Sequence, residues 1–422
     1  MRHASLLSVL LVVSCSQAPT GSPSPATGVA ANATPASAPT SSGQAPESTV
    51  PTEPFTSGAQ NFEAARKALL GGYYRDSFTE DDLYRAAVQG MVQFADPSMQ
   101  QWNKMLPPSE LAQMRTDLQG ELVGIGVKID FDPATGYIDV KETIPGSPAE
   151  HAGIAPPDKI LTVNGKLFKG RSKMEVVQDI RGKAGETVTL TILRGAGIVT
   201  VPVVRSKIAY DTVQDMVVGD DVGYVRIPSF NAKTPGSLHD ALADLASKHV
   251  RALVLDLRDN WGGSFDDSVA AASELAPAGA TITSVNKRGK IEPVTPMAGT
   301  PAPMLLDLPL AVLVDHDTAS SAELLAAAAQ ELRHATLVGN RTHGKWSVQR
   351  LEDLPNGYAI KFTVGVFASP SGKSYDGIGL APDIEVDAPG DTIQRAVAET
   401  DPKTKVGEDA QLRTALAVLA HH

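Results

Sequence analysis

Residues 310–338 read LAVLVDHDTASSAELLAAAAQELRHATLV: an apolar run, a short polar turn, an alanine- and leucine-rich stretch and a second apolar run. Leu310–Val314 is short and β-branched enough to be a strand. Ser320–Leu332 holds no Gly or Pro and is built mostly from strong helix formers. Thr336–Val338 then returns as a strand, so this half of the chain has an α/β pattern. The pattern extends outward. Val222–Ile227 reads as a strand, Pro235–Ser247 as a helix, and Ala252–Leu257 as a nearly continuous apolar strand buried on both faces. Phe265–Leu275 reads as a helix, and Tyr358–Ala368 and Ile384–Val386 are expected to complete the sheet. Lys287–Asp307, rich in Pro and Gly, reads as a loop, and Asp409–Ala420 as one peripheral helix.

Upstream the period changes twice. Between Phe55 and Leu118 apolar residues recur at helical spacing (Phe62, Ala65, Leu69; Leu83, Ala86, Ala87, Met91), Pro97 breaks the second helix and Ser109–Leu118 forms a third. This cap has no evident catalytic cluster. From Gly120 short strands follow: one led by Gly124-Ile125-Gly126-Val127, then Tyr137–Lys141, Lys159–Val163 before an Asn164-Gly165 turn, Thr187–Arg194 and Thr200–Val204, with Lys173–Ile180 helical. Gly146-Ser147-Pro148-Ala149, Ala152-Gly153-Ile154 and Val163-Asn164-Gly165 complete a block that resembles a PDZ domain, with Pro157 standing where that family usually has glycine. The resemblance implies that Gly124, Ile125, Gly126 and Val127 form the loop that binds a peptide's terminal carboxylate through backbone N–H groups. The adjoining strand would then accept the peptide as an added strand.

The chain has 422 residues, 20% of them charged, and a net charge of −11. No basic run offsets the acidity, so binding to a phosphate backbone has no electrostatic footing. Cys15 is the single cysteine, which excludes internal disulfides, thiolate zinc sites and a cysteine nucleophile in the body. No histidine pair has ligand spacing, and neither a metal nor a cofactor is expected. At the N-terminus Arg2 and His3 precede the ten-residue apolar run Ala4–Val13. That is far short of the ~20 residues needed to span a bilayer, and it reads as a signal-peptide core. The run ends Val12-Val13-Ser14-Cys15, which resembles the lipobox of bacterial lipoproteins. The resemblance implies cleavage, lipid on Cys15, and a body held in the bacterial cell envelope, in the periplasm or outside the cytoplasmic membrane. Of residues 16–50, 29 of 35 are Ala, Pro, Ser, Thr or Gly, a composition that cannot bury enough apolar surface to fold. As a coil it would reach roughly 30–35 Å. The expected organisation is a signal peptide at 1–15, a tether at 16–54, a helical region at 55–119, a PDZ domain at 120–205, an α/β core at 206–390 and a C-terminal helical segment at 391–422.

Three segments carry chemistry, each at a strand end, where open α/β sheets place their sites. Asp256-Leu257-Arg258-Asp259-Asn260-Trp261-Gly262-Gly263 is a strand, a glycine turn and a helix, which frees backbone N–H groups for an anion. Asp317-Thr318-Ala319-Ser320-Ser321-Ala322-Glu323 is a strand-to-helix junction with an exposed serine, and Ser320-x-x-Glu323 is equally a capping box. Thr342-His343-Gly344-Lys345-Trp346-Ser347-Val348-Gln349 places a lysine between apolar strands. Lysine serves as a base only when buried and desolvated, which lowers its pKa from ~10.4. The serine hydroxyl needs such a partner, and spacing alone leaves His316, His334 and His343 open as that base.

Together the three segments resemble the carboxyl-terminal processing peptidases (tail-specific proteases), Ser-Lys endopeptidases with a PDZ domain. Thr318-Ala319-Ser320 matches the start of the nucleophile motif, Lys345 follows Ser320 by 25 residues as the family lysine does, and Gln349 matches a glutamine that holds the lysine. Leu257–Gly263 matches the glycine element, and the resemblance covers about 55–390. It implies an α+β multidomain protein: a helical N-terminal cap, a PDZ domain and a ClpP/crotonase-like serine protease core. It further implies Ser320 as nucleophile, Lys345 as base, Gln349 as its support, and an oxyanion hole from the backbone of Gly262 or Gly263 and Ser321. Substrates would be polypeptides with apolar C-termini, with an activator or adaptor as a further partner. The chain departs from the family by exchanging Ala and Ser at Ser321-Ala322, and by placing Trp261 and Trp346 where small residues or proline stand, so that the two tryptophans are expected to narrow the site or reshape its specificity. The competing reading is a catalytically inactive, lipid-anchored PDZ scaffold.

Overall fold

The computed structural model describes residues 10–11, 54–95, 102–132, 135–168, 177, 179–208, 212–296, 305–388, 393, 399 and 401–421. Cys15 and nearly all of the tether lie outside these residues, as does most of the helix expected at Lys173–Ile180.

The strand β1 (Leu10–Leu11) is followed by the N-terminal unit: α1 (Gly58–Gly72), α2 (Glu80–Phe94), β2 (Lys104–Leu106) and α3 (Pro108–Leu118). Thr79 caps α2 through a reciprocal box with Asp82. No residue of α1 is buried and only Val92 of α2 is, so this pair adds little to any buried core. The unit attaches by β2, which had no sequence signal, and by Leu106 and Leu111 packing on Ala359.

A short two-stranded link, β3 (Leu122–Gly124) with β10 (Ser206–Ile208), brackets the second unit. Its sheet runs β4 (Val127–Asp132), β5 (Tyr137–Thr143), β6 (Lys159–Val163), β8 (Thr187–Arg194), β9 (Gly197–Val204), with β7 (Lys166–Leu167) pairing β6 and the short helix α4 (Pro148–His151) beside them. Its core gathers Ile125, Ile138, Ile160, Phe168, Leu190 and Ile192. The Asn164-Gly165 turn has both φ angles positive (50° and 75°), as a two-residue hairpin of this twist requires.

The third unit holds a sheet in the order β11 (Gln214–Val218), β12 (Val222–Arg226), β13 (Ala252–Asp256), β16 (Leu310–Val314), β17 (Thr336–Gly339), β20 (Ile384–Glu385), parallel beyond the first pair. Helices α5 (Thr234–Ser247), α6 (Phe265–Ser273) and α7 (Ser321–Arg333) bury their apolar sides in the largest core cluster.

Four expectations change. Residues 359–368 do not join that sheet. They form β19 (Ala359–Ala368) of a second, antiparallel one, ordered β1, β18 (Ser347–Asp353), β19, β14 (Thr283–Lys287), β15 (Lys290–Val294), with β2 also on β19. Nor is the segment after Lys287 all loop. β14 and β15 pair across Arg288-Gly289, whose φ angles are 54° and 83°, and the hairpin exposes Lys290 and Ile291, so its strands carry little apolar signal. The C-terminal segment contains α8 (Pro402–Glu408) and α9 (Ala410–Leu419). It is not peripheral, because Leu412, Ala415 and Leu419 cover the other face of the parallel sheet with Val254 and Leu313. The fourth change concerns Trp346. It lies fully buried in the core, stacked on Phe367 at 4.6 Å, so it does not line the site.

Candidate active site

The end of β13 starts the site. Asp256 is fully buried, and Arg258 answers it with two nitrogens, one of which also reaches Asp409 at 2.6 Å. Burial opposes the charge on Arg258, but the two carboxylates hold it in the guanidinium form. Gln411 accepts a further bond from Arg258. The C-terminal helices thus fix the loop that follows, and no local feature of the sequence signals that contact.

In the loop, Asn260 donates to the carbonyl of Ile227 and accepts from the N–H of Gly262 at 2.8 Å. The amide of Gly262 is therefore engaged and differs from its expected role. The amides of Gly263 and Ser321 make no hydrogen bond among the described residues. Gly262 lies against the Ser320 segment: at φ 97°, a Cβ on it would stand 2.9 Å from the Cβ of Ser320. Only glycine allows that approach.

Ser320 precedes α7 with φ 59° and ψ −117°, a conformation that costs a non-glycine residue about 1–3 kcal/mol. Its surroundings enforce it. Ala319 donates to the carbonyl of Asn260 at 2.9 Å, and the N–H of Ser320 donates to Glu323 Oε2 at 2.8 Å. The serine is completely buried, not exposed as the junction suggested. Glu323 does more than cap. Its other contacts are Thr342 Oγ1 at 2.6 Å, the N–H of Gly344 at 2.7 Å and the N–H of Lys345 at 2.9 Å. One buried carboxylate therefore joins the serine segment to the lysine segment. Burial pushes its pKa up while these donors oppose the rise.

Lys345 lies just before β18, which carries Ser347 and Gln349, and the Lys345 amine meets the Gln349 amide, which in turn meets the Ser347 hydroxyl. Lys345 Nζ lies 3.4 Å from Ser320 Oγ, 3.0 Å from the Ser347 carbonyl and 2.6 Å from Gln349 Oε1. The side chain is 3% exposed. Burial, and after it the charge of Lys361, pushes its pKa well below the ordinary lysine range, with Glu323 and Asp376 pulling the other way. The histidines do not contact Ser320 Oγ among the described hydrogen bonds. His334 ends the far end of α7, while His343 sits beside Trp261 (5.4 Å) and His316 (5.7 Å). Trp261 is half-buried beside the loop. Ser321 Oγ reaches the Gly263 carbonyl at 3.5 Å and Ala322 is fully buried in the core, so both exchanged residues are accommodated.

Two site neighbours had no sequence signal. The ring of Trp102 lies 5.2 Å from Lys345 Nζ, and Asn103 accepts from both the N–H and the Oγ1 of Thr363, the residue paired across the strands with Gln349. They come from the N-terminal unit, 260 residues before Thr363 in the case of Asn103.

In the second unit, Gly126 has φ 80° and a Cβ there would stand 2.3 Å from the Cβ of Ser147, so glycine is required. The carbonyls of Ile125 and Gly126 accept from Ala149 and Ile144. The amides of the two residues make no hydrogen bond among the described residues.

The family model for Peptidase family S41 matches residues 221–386, and that for the PDZ domain matches residues 112–193. A probable CtpA-like serine protease of Staphylococcus aureus is 33% identical over 349 residues, covering 82% of this chain and 68% of that protein. A carboxyl-terminal-processing protease of Picosynechococcus is 33% identical over 329 residues, covering 77% of each. Among solved structures, the photosystem II D1 C-terminal processing protease aligns over 79% of this chain and 94% of its own, with TM-score 0.50 and 28% identity. A putative S41 protease of Bacteroides fragilis, 19% identical, aligns with TM-score 0.56 over 79% of this chain and 90% of its own, and shares the fold. A PDZ unit followed by an α/β core that buries Ser320 and Lys345, on a chain so related, is that of a C-terminal-processing serine peptidase, and the protein belongs to peptidase family S41.

Proposed function

We propose that the protein is an endopeptidase that recognises polypeptides by their C-termini through the PDZ unit and cuts them with a Ser320–Lys345 dyad. The observation that carries this is the surrounding of Lys345 Nζ. A neutral amine has two N–H bonds and one lone pair. The Ser347 carbonyl and Gln349 Oε1 take the two N–H bonds, which leaves the lone pair for the proton of Ser320 Oγ. The distance of 3.4 Å is one that tightens in a substrate complex. Ser320 Oγ attacks a peptide carbonyl as Lys345 takes its proton, and the oxyanion meets the amides of Gly263 and Ser321 at the start of α7. The amine leaves with a proton returned by Lys345, and water, deprotonated by the same lysine, releases the acyl group. The edge of β18 supports the reading of an extended apolar substrate. The chain's own Leu10–Leu11 pairs with it antiparallel, Leu11 opposite Gln349. The envelope location and lipid on Cys15 belong to this proposal and are tested by metabolic lipid labelling with Cys15→Ser as the control.

Two outcomes check it. An unfolded protein ending in apolar residues is cleaved by the wild type, and its C-terminal amide is cleaved more slowly because the PDZ loop loses the anion it holds. Equal rates for acid and amide would remove the role of Gly124–Val127. The pH profile of kcat/KM rises through an acid limb, since only the neutral amine accepts the proton. Because burial lowers the Lys345 pKa, that limb lies well below the pH at which an ordinary lysine deprotonates. A rate that climbs only in the ordinary lysine range would contradict a desolvated base.

A further inference from the structure

We propose that Asn103 and Trp102 are positioning residues for the base, so that the catalytic site is complete only when the N-terminal unit is docked on β19. The inference rests on the reading of Lys345 as the base and extends it to a part of the chain outside the peptidase core.

The path consists of buried polar groups. Gln349 presents Oε1 to Lys345 Nζ, and this requires its amide to point one way. That orientation is set by what Nε2 meets: Ser347 Oγ at 3.0 Å and Thr363 Oγ1 at 3.2 Å. Were the amide reversed, Nε2 would face the Lys345 amine and the proton acceptor would lose its support. For Thr363 to accept from Gln349, its own hydroxyl proton must go elsewhere, and it goes to Asn103 Oδ1 at 3.1 Å. The same oxygen accepts from the N–H of Thr363 at 2.8 Å. Asn103 is 1% exposed and Gln349 is fully buried, so no water replaces a missing partner cheaply. Directionality therefore runs from Asn103 to Thr363 to Gln349 to Lys345, and the first member belongs to another unit.

Trp102 adds a second contact from the same segment. Its ring, 5% exposed, lies over Lys345 Nζ and keeps solvent from that side. Both residues enter the site through β2, which pairs with β19 as Lys104 with Lys361, Met105 with Ile360 and Leu106 with Ala359. Gln89 of α2 accepts from the N–H of Met105 at 2.9 Å, so the helices that precede β2 are tied to the strand that carries the site contacts. Lifting β2 from β19 would remove Asn103 and Trp102 together.

The test uses the full chain and compares Asn103→Ala, Thr363→Val and Thr363→Ser, with Lys345→Ala alongside. A misdirected base costs turnover rather than affinity. Asn103→Ala and Thr363→Val are expected to lower kcat by about 10–100-fold with KM little changed, and to displace the acid limb of the pH profile. Thr363→Ser retains the hydroxyl and is expected to keep near-wild-type kcat. The double variant Asn103→Ala/Thr363→Val is expected to be no worse than the poorer single one, because both break one chain of bonds. Thr363 lies on β19 outside the N-terminal unit, so the Val and Ser pair remains informative even if Asn103→Ala loosens that unit. Wild-type kcat and pH profile in Thr363→Val and Asn103→Ala, with Lys345→Ala inactive, would overturn this inference and leave the dyad standing. Activity in Lys345→Ala would overturn the dyad itself.

Discussion

Lys345→Ala is expected to lower kcat by on the order of 10⁴-fold or more while the protein still folds, and Ser320→Ala to do the same. The two losses should be similar, and the double variant should be no less active than either single one, because nucleophile and base act as a unit. Folding should survive because burial lowers the pKa of Lys345 well below the ordinary lysine range, and on the proposed reading it acts as a neutral amine. Its removal leaves no buried charge unpaired, only the Ser347 carbonyl and Gln349 Oε1 short of one donor each. That costs about 1–3 kcal/mol per group at most. Ser320→Ala keeps the backbone strain, since alanine at φ 59° is no easier than serine. The measurement is turnover of an unfolded polypeptide beside circular dichroism of each variant. A folded Lys345→Ala protein with wild-type turnover would sink the assignment, as would cleavage by a folded Ser320→Ala protein.

The second large effect is expected at Glu323, and it reaches stability as well as activity. Glu323→Ala leaves the amides of Ser320, Gly344 and Lys345 and the hydroxyl of Thr342 without their acceptor in a dry interior. Each buried donor left without its acceptor costs about 1–3 kcal/mol, and with partial relaxation the loss is expected to total roughly 3–5 kcal/mol. For a unit of this size that corresponds to a fall in Tm of roughly 10 °C. Turnover should drop too, because the same carboxylate holds both the turn at Ser320 and the backbone of Lys345 just before β18. Glu323→Gln keeps one acceptor oxygen with its two donors and sets an NH2 group against the other two, so it should lie between wild type and Glu323→Ala in both readouts. A melting temperature within about 1 °C of wild type together with full activity in Glu323→Ala would show that the link between the two segments is dispensable.

Ser320-x-x-Glu323 admitted two readings in the chain, a cap or a reactive serine, and the structure shows why neither alone suffices. Glu323 accepts from the Ser320 amide as a capping residue does, and the same contact holds the serine in a strained conformation beside Lys345. The two tryptophans part company for a related reason. Trp261 follows the strand end and sits beside His343, whereas Trp346 begins a run whose alternate residues face the core, where it stacks on Phe367. Adjacency to Lys345 is no guide to direction, because neighbours in an extended segment point opposite ways.

The amino-acid sequence by itself determined the local elements and the local chemistry. Strands such as Leu310–Val314 and Thr187–Arg194, the helix that follows the first of them, the turns at Asn164-Gly165 and Gly262-Gly263, and the spacing of Ser320, Lys345 and Gln349 can all be read along the chain without its tertiary contacts. Periodicity and backbone preference suffice for the elements. The tertiary structure alone decided which polar groups meet. Asp409 closes the charge cluster of Arg258 from 151 residues away, and Asn103 reaches Thr363 from 260. It also decided that β18 and β19 form a separate sheet, and that one amide of the glycine loop is engaged by Asn260 while its neighbour is not. The reason is physical: a buried donor must find an acceptor wherever the fold brings one, and chain order does not record that proximity.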